Sequence, residues 1–112
     1  MKKTIANRTV TQETLDEIIR RIVEVAKPEK IILFGSAARG EVGPHSDVDL
    51  LIIKRGADAL DLMGQIYRNL HGVGAAVDAI VVTPDDVERF KDSHALVIKP
   101  ALREGKVVYE SS

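Results

Sequence analysis

Apolar residues recur at intervals of three and four in two segments of the chain. Over residues 13–26 they alternate with charged residues, which predicts an amphipathic helix. Thr11 fits as the N-cap of this helix, and Pro28 lies just past its end. The same spacing over residues 57–70 predicts a second amphipathic helix. The apolar positions are Leu15, Ile18, Ile19, Ile22, Val23 and Ala26 in the first helix, and Leu60, Met63, Tyr67 and Leu70 in the second.

Three short apolar runs, rich in β-branched residues, predict strands. The first covers Lys30–Phe34 and stops at Gly35. The second covers Val48–Ile53 and follows a glycine-rich loop without strand pattern. The third covers residues 76–82, and its continuous apolar character predicts burial on both faces.

The C-terminal third predicts two more helices and a final strand. The run Thr83-Pro84-Asp85-Asp86 is a strong helix start, with threonine as cap and acids in the first turn, and that helix is expected to reach about residue 92. Residues 93–104 also have helical character, but Pro100 must break or kink the helix there. Gly105 ends it, and residues 106–109 can add a short strand. The order of elements predicts an α/β fold, a small mixed sheet of about four strands flanked by helices.

Composition and charge narrow the function classes. The chain has 112 residues, which suits one domain, and residues 1–112 are predicted to form it. It carries 16 basic and 17 acidic side chains, so no strong positive field directs it to nucleic acid. It has no cysteine, which excludes disulfides and zinc–thiolate sites. The N-terminus lacks the apolar core of a signal peptide, and no apolar run approaches the ~20 residues of a membrane helix. A cytoplasmic location is therefore expected, with no membrane partner.

Two aspartates begin the second predicted strand. Side chains two positions apart in a strand point to the same face, so Asp47 and Asp49 present their carboxylates together. Two negative charges at such a short distance repel each other unless a cation lies between them. Oxygen ligands favour Mg²⁺, or Mn²⁺ as an alternative, over zinc. The competing interpretation is a pair of solvated acids at the entrance to a strand.

The loop before these aspartates has features of a phosphate site. Gly35-Ser36 directly follows a strand, where backbone N–H groups and the serine hydroxyl can face an anion. Arg39 adds a guanidinium suited to phosphate oxygens, and Gly35 lets the backbone approach a ligand closely. The alternatives are a simple turn residue for Ser36 and a surface salt bridge for Arg39. Together, loop and acids have the parts needed to hold a metal–nucleoside triphosphate.

Asp78 is an acid inside the third apolar run. If the second and third strands are neighbours, Asp78 can sit beside Asp47 and Asp49. Three carboxylates can hold two metal ions ~4 Å apart, an arrangement suited to in-line displacement at phosphorus. Asp78 would also help to remove the proton of the acceptor. The alternative is a buried, hydrogen-bonded acid with a structural role.

These motifs resemble a known family. The run Gly35-Ser36-Ala37-Ala38-Arg39-Gly40, followed by Ser46-Asp47-Val48-Asp49-Leu50, is similar to the signature of the DNA polymerase β-type nucleotidyltransferase superfamily. The short length points to its minimal nucleotidyltransferase (MNT) branch. The resemblance implies a polymerase β-like mixed sheet with flanking helices. It also implies Ser36 on the triphosphate, Asp47 and Asp49 on metal, and Asp78 as the third acid.

The resemblance also implies an activity and a partner. Similar members are often antitoxins of a helical HEPN ribonuclease, which they silence by transferring AMP from ATP to a tyrosine. The expectation is therefore a Mg²⁺-dependent nucleotidyltransferase, with two ions, that modifies a protein hydroxyl and does not act on nucleic acid directly. Two alternatives remain: an antitoxin that works only by capping its partner, and a small-molecule nucleotidyltransferase. The second is weaker, because 112 residues leave little wall for a substrate pocket.

Overall fold

The structure is a computed structural model that describes residues 11–35, 38, 48–56, 58–93 and 98–111. These residues form four helices and four strands. No helix in these ranges is long and apolar enough to cross a membrane. In chain order the elements are α1 (Gln12–Ala26), β1 (Lys30–Phe34), β2 (Val48–Ile53), α2 (Ala59–Asn69), β3 (Val77–Val82), α3 (Pro84–Phe90), α4 (Ile98–Glu104) and β4 (Lys106–Glu110).

The four strands form one mixed sheet in the order β3-β2-β1-β4. The β1–β2 and β1–β4 pairs are antiparallel, and the β2–β3 pair is parallel. The α2 helix provides the connection that a parallel pair needs. The predicted fold, a small mixed α/β sheet of about four strands flanked by helices, is confirmed.

Helices cover both faces of the sheet, and the alternation of side chains along β2 assigns each residue to one face. On one face α1 and α2 pack on Val48, Leu50 and Ile52. On the other face α4 packs on Leu51 and Ile53, with α3 at its margin. Because both faces are covered, β2 is buried over almost its whole length. It therefore forms a rigid support for any side chain at its start.

Local signals set most of the element ends. The Thr11 hydroxyl accepts a hydrogen bond from the Thr14 N–H at 3.0 Å, as expected of an N-cap. Lys27 ends α1 in the left-handed conformation, with φ 46°. Thr83 and Asp86 form a capping box at the start of α3. The α2 helix is shorter than predicted, because Asp58 caps it and it starts at Ala59.

Two predictions about the later elements are corrected by the structure. β3 is not buried on both faces: Ala79 and Val81 are buried, whereas Asp78 is exposed. β3 lies at the edge of the sheet, a position that a local apolar pattern does not encode. Pro100 is the third residue of α4, where a backbone N–H has no partner within the helix, so it need not break the helix there. Part of the predicted helix 93–104, residues 94–97, lies outside the described residues.

Helix α1 is joined to the end of α2 through Arg21. Its guanidinium donates to the carbonyl oxygens of Asn69 at 3.3 Å and His71 at 3.0 Å, and the Asn69 amide donates to the Arg21 carbonyl. Glu17 contacts Arg20 and Arg21, each at 2.7 Å. These hydrogen bonds lower the pKa of Glu17 to about 2. Glu17 therefore helps to orient the arginine that links the two helices.

This contact predicts a pH-dependent contribution of Glu17 to stability. A carboxyl with a lowered folded-state pKa stabilises the protein above its unfolded pKa, near 4.5, and loses that contribution as pH falls towards about 2. We expect Glu17→Gln to melt below wild type at pH 6, with the difference in Tm shrinking between pH 4.5 and 2. Because the contact of Glu17 with Arg20 is exposed and its contact with Arg21 is only partly buried, the difference should be small. Equal differences in Tm at pH 2 and pH 6 would contradict this origin.

Candidate active site

Two acidic side chains lie opposite each other on adjacent strands. Asp49 of β2 pairs with Asp78 of β3 in the parallel register. Paired residues of neighbouring strands project from the same face, so both carboxylates lie on the side of the sheet that carries α3 and α4. Each aspartate is the second residue of its strand. Asp78 was expected to approach Asp47 and Asp49 if the second and third strands are neighbours. The structure shows that these strands are neighbours.

Gly35 brings the start of the predicted phosphate loop against Asp49. It follows β1 directly, and the last residue of β1, Phe34, pairs with Asp49. Gly35 has φ +77°, a conformation that side chains other than glycine rarely adopt. A Cβ atom at this position would overlap Oδ2 of Asp49 and lie 3.2 Å from its Cγ. The absence of a side chain therefore leaves the space that the Asp49 carboxylate occupies.

Ala38 ties the start of the predicted phosphate loop to Gly35 and to the core. The Ala38 N–H donates to the Gly35 carbonyl at 3.1 Å, and Ala38 is buried in the core beneath α1 and α2. This contact fixes the beginning of the loop to the body of the protein. The other predicted site residues, Ser36, Arg39 and Asp47, lie outside the described residues. Their roles stay predictions.

Tyr67 is a neighbour of these acids that the sequence analysis did not include in the site. Its hydroxyl oxygen accepts the Ala79 N–H at 2.8 Å and lies 3.5 Å from Oδ1 of Asp78. Tyr67 belongs to α2, on the opposite face, and its hydroxyl meets the edge strand beside Asp78. In the sequence it was one of the regularly spaced apolar positions of the predicted second helix, which gave it no role in the site. That Tyr67 reaches Asp78 becomes evident only from the structure, in which β3 is the edge strand.

The chemistry of the two described acids suits a hard divalent cation. Asp49 and Asp78 offer only carboxylate oxygens, the donors that Mg²⁺ and Mn²⁺ prefer. Asp78 is exposed and Asp49 is half-buried, so an ion could keep some of its water ligands. Within the described part of the chain no three acidic or histidine side chains form a metal-binding group. The third ligand of the predicted set is Asp47.

Two grooves of the described structure lie away from the acids. One, of about 250 Å³, is lined by residues that include Leu15, Leu33 and Val48. The other, of about 310 Å³, lies between α1 and Tyr109 of β4. Leu33 and Val48 project from the α1/α2 face, whereas Asp49 projects from the other face. Of the two acids, Asp78 lies on the edge strand β3 and is exposed, whereas Asp49 lies on the inner strand β2 and is half-buried.

The family match agrees with this arrangement. The family described as polymerase beta, nucleotidyltransferase matches residues 16–112. The chain belongs to this family. The predicted resemblance to the polymerase β-type nucleotidyltransferases is thereby confirmed.

Solved structures with this fold include a candidate nucleotidyltransferase from Sulfolobus solfataricus. It has a TM-score of 0.63 at 22% identity, over 97% of this chain and 90% of that chain. The toxin–antitoxin pair MntA-HpeT, in a mutant with two aspartates two positions apart changed to glutamate, gives 0.62 at 17% identity, over 87% and 73% of the chains. A toxin–antitoxin structure with AMP-PNP gives 0.59 at 19% identity, over 87% and 74%. Identities this low show the fold alone.

Curated proteins with sequence similarity are much longer than this chain. UvrABC system protein A of Clostridium perfringens is 30% identical over 105 residues, which cover 84% of this chain and 11% of that protein. The same protein of Clostridium acetobutylicum is 27% identical over 112 residues, which cover 90% of this chain and 12% of that protein. The likeness is therefore confined to a small part of each relative.

Proposed function

We propose that this nucleotidyltransferase transfers AMP from ATP, with Mg²⁺, to a tyrosine hydroxyl of a partner protein and thereby acts as an antitoxin. The observation that carries the proposal is the proximity of the two acids to the start of the predicted phosphate loop. Asp49 and Asp78 lie in register on one face, and the Gly35 backbone lies directly against the Asp49 carboxylate. The start of the predicted triphosphate loop thus lies beside two carboxylates of the kind that bind Mg²⁺.

Each residue of the site has a role in this reaction. The backbone at Gly35, the Ser36 hydroxyl and the Arg39 guanidinium bind the triphosphate. Asp47, Asp49 and Asp78 hold Mg²⁺, which when bound neutralises charge on the phosphoryl oxygens. The acceptor hydroxyl attacks the α-phosphorus, and pyrophosphate leaves. Asp78, the exposed acid at the strand edge, accepts the proton of the acceptor.

A protein acceptor fits the shape and charge of this chain. Asp78 lies on an edge strand, where a large partner can approach. The near balance of 16 basic and 17 acidic side chains does not favour the phosphate backbone of a nucleic acid. Two of the structures with this fold are toxin–antitoxin complexes, and one of these holds the ATP analogue AMP-PNP. By the family resemblance, the partner is a HEPN ribonuclease toxin.

The test is the intact mass of the partner. The protein is incubated with α-³²P-ATP, Mg²⁺ and the protein encoded by the neighbouring gene. We expect the partner to gain one or more AMP units and the label to reside on a tyrosine. A stable complex without any gain in mass would contradict the proposal and favour an antitoxin that caps its partner. Transfer to a small molecule but not to the partner would also contradict it.

A further inference from the structure

The contact between Tyr67 and Asp78 places a phenol at the acid that accepts the proton in the proposed reaction. We propose that Tyr67 is a self-modification site: in the absence of its partner, the protein transfers AMP to its own Tyr67 hydroxyl. This inference rests on the proposed function. It gives the same site a second AMP acceptor, the Tyr67 hydroxyl of the chain itself.

The position of the Tyr67 hydroxyl carries the inference. It lies 3.5 Å from Oδ1 of Asp78, close to this carboxylate but farther than in an ordinary O–H···O hydrogen bond. Asp78 pairs in register with Asp49, and Gly35 lies against the Asp49 carboxylate, so the phenol lies beside the strand positions of the predicted nucleotide site. Tyr67 is 40% exposed and is therefore open to a substrate from solvent. Its chemical class is that of the acceptor proposed in the partner.

The surroundings of Tyr67 allow the hydroxyl to be released. The hydroxyl now accepts the Ala79 N–H at 2.8 Å and lies 3.4 Å from the Ala79 carbonyl oxygen. Both groups belong to the outer side of an edge strand. When the phenol moves towards a nucleotide, water can take over these backbone hydrogen bonds. Release of Tyr67 therefore leaves no buried polar group without a partner.

The bonds formed and broken in this transfer balance. A bond forms between the Tyr67 oxygen and the α-phosphorus of ATP. The bond between that phosphorus and the oxygen bridging to the β-phosphorus breaks, and pyrophosphate leaves with the electron pair. The phenolic proton passes to Asp78 and then to solvent. No oxidation or reduction occurs, and ATP is the only co-reactant besides the Mg²⁺ that the proposed function includes.

Tyr109, the second tyrosine of the chain, is an internal control. It lies on β4, at the opposite edge of the sheet from β3. It pairs with Ile31 and packs among the side chains beneath α1. Two strands separate it from Asp78, so the site can reach Tyr67 but not Tyr109.

The experiment uses the full chain alone with α-³²P-ATP and Mg²⁺. Label is located by mass spectrometry of the tryptic peptide of residues 56–68, which contains Tyr67. We expect label on this peptide in wild type and in Tyr109→Phe, and a loss of at least about tenfold in Tyr67→Phe and in Asp49→Asn. Melting curves establish that each variant is folded. Label that persists in Tyr67→Phe, or that resides on Tyr109, would overturn the inference.

A mixing experiment tests whether the reaction occurs within one chain. Asp49→Asn keeps Tyr67 but lacks a metal ligand, and Tyr67→Phe keeps the ligand but lacks the acceptor. We expect their mixture to leave the 56–68 peptide of Asp49→Asn unlabelled, and label there would contradict transfer within one chain. Wild type that labels the partner but not itself would overturn the self-modification alone. Wild type that labels neither would overturn the proposed function as well.

Discussion

Replacing Asp49 with asparagine is expected to lower AMP transfer by roughly a hundred-fold or more, because a bound metal ion contributes several kcal/mol of transition-state stabilisation. Asparagine has nearly the same shape but no negative charge. Asp49 is half-buried at the start of β2, whose buried residues Leu50 to Ile53 are unchanged by the substitution. We therefore expect the fold to remain intact. The measurements are the rate of transfer from α-³²P-ATP, Mn²⁺ binding by electron paramagnetic resonance, and the melting temperature.

The matched control for this variant is Asp16→Asn. Asp16 is exposed on α1, which packs on the face of the sheet opposite to Asp49. The change of charge is the same, so a general effect of net charge would appear in both variants. Only Asp49→Asn should lose transfer and Mn²⁺ binding. Wild-type transfer in Asp49→Asn would refute its assignment as a metal ligand, and the same expectation holds for Asp47→Asn.

Replacing Gly35 with alanine is expected to lower transfer by roughly ten- to a hundred-fold, the range for a displaced ligand support. The new Cβ would overlap the Asp49 carboxylate, so the acid or the loop must move. The substitution also carries the strain of a positive φ, about 1–2 kcal/mol for an L-residue. The rate of transfer, Mn²⁺ affinity and the free energy of unfolding separate these effects.

Gly56→Ala is the matched control for the effect on Asp49. Gly56 also has a positive φ, +71°, but among the described residues, apart from Gly56 and its two chain neighbours, no atom lies within 4 Å of the position its Cβ would take. Both variants should therefore lose a similar amount of stability from backbone strain. Only Gly35→Ala should lose transfer and Mn²⁺ affinity. Equal transfer in the two variants would mean that the contact between Gly35 and Asp49 is irrelevant to the reaction.

Much of the fold could be predicted because its signals are local. β1 and β2 occupy the predicted ranges Lys30–Phe34 and Val48–Ile53. The caps Thr11 and Thr83 lie where a short polar side chain precedes an apolar helical pattern. Such signals depend on residues a few positions apart, so a single sequence displays them. The end of β1 at Phe34, directly before Gly35, was recognisable for the same reason.

The parts that escaped prediction depend on which strand lies beside which. A run of apolar residues predicts a strand but not its place in a sheet, so β3 was expected to be buried and is instead an edge strand. For the same reason Asp78 was expected among apolar neighbours and is exposed. The contact of Tyr67 with Asp78 and Ala79 joins α2 to β3, the next strand along the chain. Sequence spacing alone contains no sign of this contact.

The most direct test of the central claim is a crystal structure of the protein grown with Mn²⁺ and a non-hydrolysable ATP analogue. The anomalous signal of manganese would locate the metal without reference to activity. We predict manganese bound by the carboxylates of Asp49 and Asp78, with the triphosphate against the backbone at Gly35. Manganese and nucleotide bound elsewhere, with Asp49 and Asp78 contacting neither, would contradict the account.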